Sequence, residues 1–412
     1  MNLHIKRTCR FCGRPLNNIF ADLGALPVAN SYLPDEDYAG ESIFPLRVYV
    51  CDKCKLVQAD IYETPENIFS EYAYFSSFSQ TWLQHCKVYC DQAEKRFALN
   101  KDSFVVEIAS NDGYLLTNFV QKGIPVLGVE PAENVAEVAR KKNVPTKSEF
   151  FGKQSAERIV EEYGKADLVI GNNVLAHVPD LRDFIWGLKT IMNTKGILTM
   201  EFPHLLKLIE GCQFDTIYHE HFYYYSFMTI QKIFAHFGLT VFDVEELTTH
   251  GGSLRIYVRH SESAVPEISD AVDNLLKKEK AAHLDRMDTY QAFNKQIQQV
   301  KRDALAFLIE KKNEGKRIAA FGAPAKGNTF LNYCGIGRDF IDFTVDDIPY
   351  KQGLFLPGSR IPIYSKEKLK KEKPDVVIIL PWNWVDEIVH QLSFVKENGG
   401  ELVTLIPKVK KY

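Results

Sequence analysis

Apolar positions along the chain alternate between runs of strand length and stretches at helical spacing. A helix-like segment runs to Leu99, the apolar strand Ser103-Phe-Val-Val-Glu-Ile-Ala breaks into Ser110-Asn-Asp-Gly113, and Tyr114-Leu-Leu-Thr-Asn-Phe-Val returns to helical periodicity. Strand, glycine turn and helix form the opening unit of a doubly wound sheet, whose ligands sit at the carboxyl ends of the strands. Further strands are predicted at Val126–Glu130, Val144–Lys147 and Ala166–Ile170, and another at Leu254–Val258. A charged helical pattern from about Val265 to Lys312, with no glycine inside it, predicts helices and a connector. Fresh apolar runs at Gly315–Gly322, Phe343–Asp346, Asp375–Leu380 and from Leu402 predict a second parallel sheet. The fold class is α/β. The expected division is a small N-terminal domain over residues 1–75, a Rossmann-like core over 76–300 and a second Rossmann-like domain over 301–412.

The chain of 412 residues is too long for one core. Its net charge of -3 offers no basic surface for nucleic acid, which is therefore not an expected partner. No apolar run has signal-peptide or membrane-spanning length, so the expectation is a cytoplasmic protein with no membrane partner. Oligomeric state is not legible. Of eight cysteines, Cys9 and Cys12 form one Cys-x-x-Cys knuckle and Cys51 and Cys54 another. Two thiolate pairs suit one tetrahedral zinc, and four protein ligands leave no open position, which makes the site structural. The alternatives are unlinked thiols or a redox pair. Cys86, Cys90, Cys212 and Cys334 read as buried thiols.

The loop after the first core strand is not Gly-x-Gly-x-x-Gly, and no Gly-x-x-x-x-Gly-Lys-Ser/Thr occurs, so a nicotinamide dinucleotide or ATP is disfavoured there. One glycine followed 17 positions later by the acidic strand end Glu130 suits a nucleoside without phosphate. That pattern points to S-adenosylmethionine, with another Rossmann-like ligand as the alternative. Glu130 would hold the ribose, Phe150 or Phe151 the adenine, and Asn172 or Asn173 the methionine end. Glu107, Ser110, Asn111, Asp112 and Gly113 complete the candidate cofactor set.

Phe214–Ser226 is the window richest in proton-handling groups: Tyr218, His219, Glu220 and His221 are consecutive, and aromatics flank them. Burial drives such groups toward catalytic pKa values. A satisfied core network and a His-x-His metal site are the competing readings. In a strand, alternate residues would face apart, so several of these groups reach one substrate only from a loop or bend.

These motifs, with Asn173-Val-Leu-Ala-His177-Val-Pro, Glu201-Phe-Pro-His204, His250-Gly-Gly-Ser-Leu-Arg255 and Gly322-Ala-Pro-Ala-Lys-Gly327, occur in an order that resembles one family. It is the S-adenosylmethionine-dependent sugar 3-C-methyltransferases acting on nucleotide-linked 4-keto deoxysugars, the kijanose and tetronitrose type. The resemblance spans essentially the whole chain. It implies the three-part fold, S-adenosylmethionine, and a catalytic set of Tyr72, His177, Tyr218, Glu220 and His221. Methylating a sugar carbon requires an enolate beside a ketone; His221, polarised by Glu220, is the expected base, and Tyr218, Tyr72 and His177 the expected enolate donors. Arg255 is a candidate for a phosphate or sugar oxygen, although its Gly-Gly motif reads equally as a tight turn before a strand. Gly322 and Lys326 form a candidate pyrophosphate cradle at a helix start. His204, Asn328, Asn332 and Lys351 complete the candidate substrate set. The competing functions are N- or O-methylation of a nucleotide sugar, and a non-catalytic nucleotide-sugar-binding protein.

Overall fold

Both doubly wound sheets anticipated from the apolar runs are present in the computed structural model, which describes residues 7–35, 37–62, 76–78 and 80–412. Strands follow the chain as β1 (Asn18–Pro27), β2 (Ile43–Val50), β3 (Val57–Ala59), β4 (Val105–Ile108), β5 (Val126–Val129), β6 (Thr146–Lys147), β7 (Ala166–Asn172), β8 (Met192–Pro203), β9 (Tyr223–Tyr224), β10 (Leu239–Leu247) and β11 (Ser253–His260). The last part adds β12 (Ile318–Phe321), β13 (Thr344–Val345), β14 (Ile363–Tyr364), β15 (Val376–Ile379), β16 (Glu401–Thr404) and β17 (Lys410–Lys411).

The middle sheet has the order β10-β11-β8-β7-β4-β5-β6. Its pairs from β6 to β8 are parallel, and the β10–β11 hairpin adds antiparallel to β8. The last sheet has the order β14-β13-β12-β15-β16-β17, parallel except for β17. Val105–Ile108 and Val376–Ile379 are buried at every position, as strands covered by helices on both faces must be. In each sheet the strand order reverses beside the first strand, at β4 against β7 and at β12 against β15, and such a reversal opens a crevice at the carboxyl ends. The charged pattern near residues 265–312 is two helices, Asp270–Ala281 and Met287–Asn313. No helix among the described residues is long and apolar enough to cross a membrane.

A four-stranded sheet, β1-β2-β3-β9, is built mostly from the N-terminal part. Its last strand comes from the middle of the chain: Val57 and Gln58 of β3 pair with Tyr224 and Tyr223. The 38 residues between the cysteine knuckles thus fold as a small sheet, and that sheet ends on the residues that follow the acid-base stretch. The helix Phe227–His236 then starts with Ser226 accepting from the Thr229 amide at 3.2 Å. Glu279 adds a carboxylate at the same terminus, taking the Phe227 amide at 2.6 Å and the Met228 amide at 2.8 Å. Negative charge at a helix start is favourable, because the first amides have no partner within the helix.

Candidate active site

The two knuckles fold onto one another. All four sulfurs of Cys9, Cys12, Cys51 and Cys54 lie within 4.8 Å of one another, with Cys9 to Cys54 at 3.6 Å and Cys12 to Cys51 at 3.5 Å. Zinc–sulfur bonds of about 2.3 Å in a tetrahedron put sulfurs roughly 3.8 Å apart, so the cluster has the size of a tetrathiolate site. The Gln58 amide donates to Cys9 Sγ at 3.3 Å, the kind of outer hydrogen bond that orients a ligand. Cys86, Cys90, Cys212 and Cys334 are buried apart from it.

At the carboxyl end of β4 the loop is tightly wound. Ala109, Asn111 and Gly113 all have positive φ, of 56°, 49° and 74°, a concentration of strain found at binding loops. A Cβ on Gly113 would lie 3.0 Å from Val144 Cγ2. Glu130 ties the loop down, accepting the Asn111 amide on Oε2 and the Ala132 amide on Oε1, both at 2.9 Å. Each oxygen keeps a second lone pair for a hydroxyl. Glu107 is fully buried beneath, and burial, with Glu130 and Asp112 nearby, pushes its carboxyl well up. Ser110 Oγ, Asn172 Nδ2 and Asn173 Oδ1 are buried without a partner among the described residues. Crowded carboxyls and the unfilled Asn173 acceptor are the complement of a cation such as the ammonium or sulfonium of S-adenosylmethionine, and the unfilled Asn172 Nδ2 donor that of its carboxylate. Three expected residues are otherwise employed. Asp112 pairs with Lys142 at 2.9 Å, Asn111 Oδ1 accepts the Ser76 amide, and Phe151 packs edge-on against Phe184, leaving Phe150 as the exposed ring.

The acid-base stretch is a loop between a short turn at Phe214–Thr216 and β9. His221 Nδ1 donates to the Thr216 carbonyl at 2.9 Å, so its Nε2 carries the lone pair and meets the Tyr218 hydroxyl at 2.8 Å. Burial, with His177, His250 and Lys326 nearby, holds His221 well below its ordinary pKa and therefore neutral. His177 stands edge-on to it at 4.7 Å, donating from Nδ1 to the Glu220 carbonyl at 2.8 Å. The expected polarisation of His221 by Glu220 is corrected. Adjacent side chains leave the bend in different directions, and both Glu220 oxygens accept from Asn30 Nδ2 at 2.9 Å. Burial raises Glu220 to about 7 against that donor. His219 turns to the Phe44 carbonyl at 3.2 Å. Tyr72 lies outside the described residues.

The second crevice faces this loop. Gly322 has φ 89°, and a Cβ there would lie 2.6 Å from Pro381 Cδ, so the turn after β12 and the turn after β15 close on each other. Lys326, in the first turn of the helix Ala325–Cys334, donates to Asn383 at 2.8 Å and sits 4.7 Å over the Trp382 ring. Trp382 Nε1 donates to Asp215 at 2.6 Å. Burial pushes Asp215 up to about 6 and Lys326 down, each opposed by the other's charge. Beyond the effect of burial, the Lys326 charge also helps lower the pKa of His221 and His250, so the lysine stands on the histidine side of the crevice.

Other expected substrate residues are spent on structure. His204 is buried and donates from Nε2 to Glu279 at 2.7 Å. Arg255 is 3% exposed, paired with Glu201 at 2.5 Å and lying 4.4 Å over Tyr89. Its Gly-Gly motif is the tight turn, closed on Trp382 and Lys207, where Cβ atoms would come within 2.6 Å. Asn332 donates to the Asn328 and Pro357 carbonyls, and Lys351 to Ala323 O at 3.0 Å. Asn328 reaches Ala29 O at 2.6 Å and leaves a buried Oδ1 with no partner among the described residues. Asn30, Asp215 and Trp382 were missed, since nothing in their local spacing marks them.

Residues 9–69 match a zinc binding domain family, 82–244 a methyltransferase domain family and 248–407 the C-methyltransferase C-terminal domain family. C-methyltransferase NovU of Streptomyces niveus is 36% identical over 401 residues, which cover 97% of this chain and 95% of that protein. Among solved structures, magnesium protoporphyrin IX methyltransferase from Synechocystis PCC 6803 is 18% identical, covering 43% of this chain and 79% of its own, with a TM-score of 0.34. The PH0226 protein from Pyrococcus horikoshii OT3 is 16% identical, covering 48% and 99%, with a TM-score of 0.36. Both likenesses take in less than half of this chain. Zinc belongs with the four-cysteine cluster, and the full-length match decides the rest: the chain belongs to the S-adenosylmethionine-dependent C-methyltransferases.

Proposed function

We propose that the protein methylates the carbon beside the ketone, C3, of a nucleotide-linked 4-keto deoxysugar. The observation that carries this reading is the Tyr218–His221 pair, a neutral imidazole with its lone pair on a phenol hydroxyl inside a buried aromatic loop. The sugar C–H proton passes to the Tyr218 oxygen as Tyr218 gives its own to His221 Nε2, and the carbon's electron pair moves onto the ketone oxygen as an enolate. Tyr72 is assigned to that oxygen; His177, neutral and with its Nδ1 proton on the Glu220 carbonyl, is assigned through its Nε2 lone pair to accept from a sugar hydroxyl, and the Glu220 carboxylate to another. When bound, S-adenosylmethionine supplies the methyl group. Glu107, Ser110, Gly113, Glu130, Phe150, Asn172 and Asn173 are assigned to holding it, and Lys326 with the helix start behind it to the nucleotide diphosphate. Substrate and methyl donor then meet between the two crevices. Reduced thiolates and a nucleotide-linked substrate fit a cytoplasmic location.

The test is solvent-deuterium exchange at the carbon beside the ketone, read by NMR with a panel of dTDP-, GDP- and CDP-linked 4-keto-6-deoxysugars. His221→Asn is expected to abolish exchange and turnover while binding S-adenosylmethionine normally. Tyr218→Phe is expected to lose on the order of 100-fold or more, the range for a positioned proton-transfer group. Turnover of no nucleotide sugar in the panel, or wild-type exchange in His221→Asn, overturns the reading.

A further inference from the structure

The loop that follows β1 in the zinc-bearing part, residues 28–33, reaches between the two larger sheets. Its Ala29 carbonyl accepts from Asn328, its Tyr32 hydroxyl donates to the Ala323 carbonyl at 2.6 Å, and Leu33 pairs with Phe355. At its centre the Asn30 amide nitrogen donates to both oxygens of Glu220, each at 2.9 Å. Glu220 is 3% exposed.

We propose that Asn30 is a positioning residue of the methyl-transfer reaction, holding the Glu220 carboxylate in its ionised form and fixed orientation for the sugar. The inference rests on the assignment of Glu220 to the sugar site. An amide N–H2 equidistant from two oxygens matches an ionised carboxylate, because a protonated carboxyl would present a donor to it. Among the described residues the group has no other side-chain compensation of that size. Among the described residues the titratable side chains around it are Tyr32 from the same loop, His177 behind its backbone carbonyl and His221 next in the chain, with Asp346, Tyr350 and Lys351 beyond Tyr32. His177 and His221 are both held neutral by burial, and Lys351 is engaged by Ala323 O and the Tyr32 ring. Asn30 is the one side-chain donor to this carboxylate among the described residues. Without it, burial acts unopposed and the ionised fraction at neutral pH falls.

The sign follows. A donor to the charged form lowers the pKa of an acid, so its removal moves the acidic limb of kcat/KM, which reports the free enzyme, to higher pH. The experiment measures that limb in wild type, Asn30→Leu, Asn30→Asp and Glu220→Gln, using the nucleotide sugar from the panel that wild type turns over. The wild-type limb is expected near the Glu220 value of about 7. Loss of a hydrogen bond to a charged group is expected to raise it by about one pH unit or more in Asn30→Leu, and further in Asn30→Asp, where a second carboxylate faces the first. Glu220→Gln should lose the limb with most of the activity. Zinc content, S-adenosylmethionine affinity and the thermal midpoint are measured on each variant to confirm folding; Asn30→Asp, nearly isosteric, serves if Asn30→Leu fails to fold. A wild-type limb in folded Asn30→Asp, with the limb lost in Glu220→Gln, overturns the role of Asn30 alone. Wild-type kcat/KM and limb in Glu220→Gln overturn the assignment of Glu220 and this inference with it.

Discussion

Glu279→Ala separates a structural His204 from a substrate-binding one. The Glu279 side chain is fully buried and accepts three donors: His204 Nε2 at 2.7 Å, the Phe227 amide at 2.6 Å and the Met228 amide at 2.8 Å. Removing it strands all three, with His204 and Phe227 buried and Met228 partly so. An unsatisfied buried donor costs about 1–3 kcal/mol, so three of them together cost several kcal/mol. Partial water entry offsets some of this, so the expected loss is about 4 kcal/mol, concentrated at the start of the helix Phe227–His236. Native-state hydrogen exchange measures that opening directly. With a factor of ten for each 1.4 kcal/mol, amides in this helix should exchange roughly three orders of magnitude faster than in wild type. His204→Asn should lose stability at the same helix and keep its KM for nucleotide sugar. Exchange in Glu279→Ala within about threefold of wild type, which is under 1 kcal/mol, would refute the energetic argument. A raised KM in His204→Asn with unchanged exchange would return His204 to the substrate site.

The freshly purified protein is expected to carry about one zinc per chain, and Cys51→Ser to lose both metal and stability, because such clusters couple metal binding to folding; elemental analysis and thermal unfolding check this, and unchanged values in Cys51→Ser would refute it. Lys326→Ala should weaken nucleotide-sugar binding in calorimetry by about tenfold or more while S-adenosylmethionine binding holds, as removal of a buried charged donor predicts. The opposite pattern would exchange the ligands assigned to the two crevices.

Legibility in the sequence tracked how local the cause of each feature is. Val376–Ile379 announces a buried parallel strand because burial on both faces demands a continuous apolar run, and Val105–Ile108 does so with Glu107 as its one polar position. The knuckles are equally local, two residues bridging each thiolate pair. By contrast β8 opens on Met-Asn-Thr-Lys-Gly, which reads as a turn, and only the pairing of Met192 with Ala166 of β7 draws that opening into the strand. β9 is two tyrosines whose strand character comes from β3. Within the site, the residue types of the acid-base stretch were legible but their partners were not. Glu220 stands beside His221 in the chain and takes Asn30 from 190 positions away. His204 and Arg255 have the chemistry of ligand-binding residues, and Glu279 and Glu201 engage that chemistry internally.

The pairing of β3 with β9 means that covalent and physical modules differ in this protein. An exchange between relatives that swapped the first 75 residues alone would set foreign backbone against native Tyr223 and Tyr224, two and three residues past His221. The transplantable piece is discontinuous: the knuckle-bearing segment together with the strand that closes its sheet. Recombination that respects this boundary carries the proton-transfer loop along with the metal knuckles, so the two should be inherited as one unit, whereas the crevice for the nucleotide can diverge on its own.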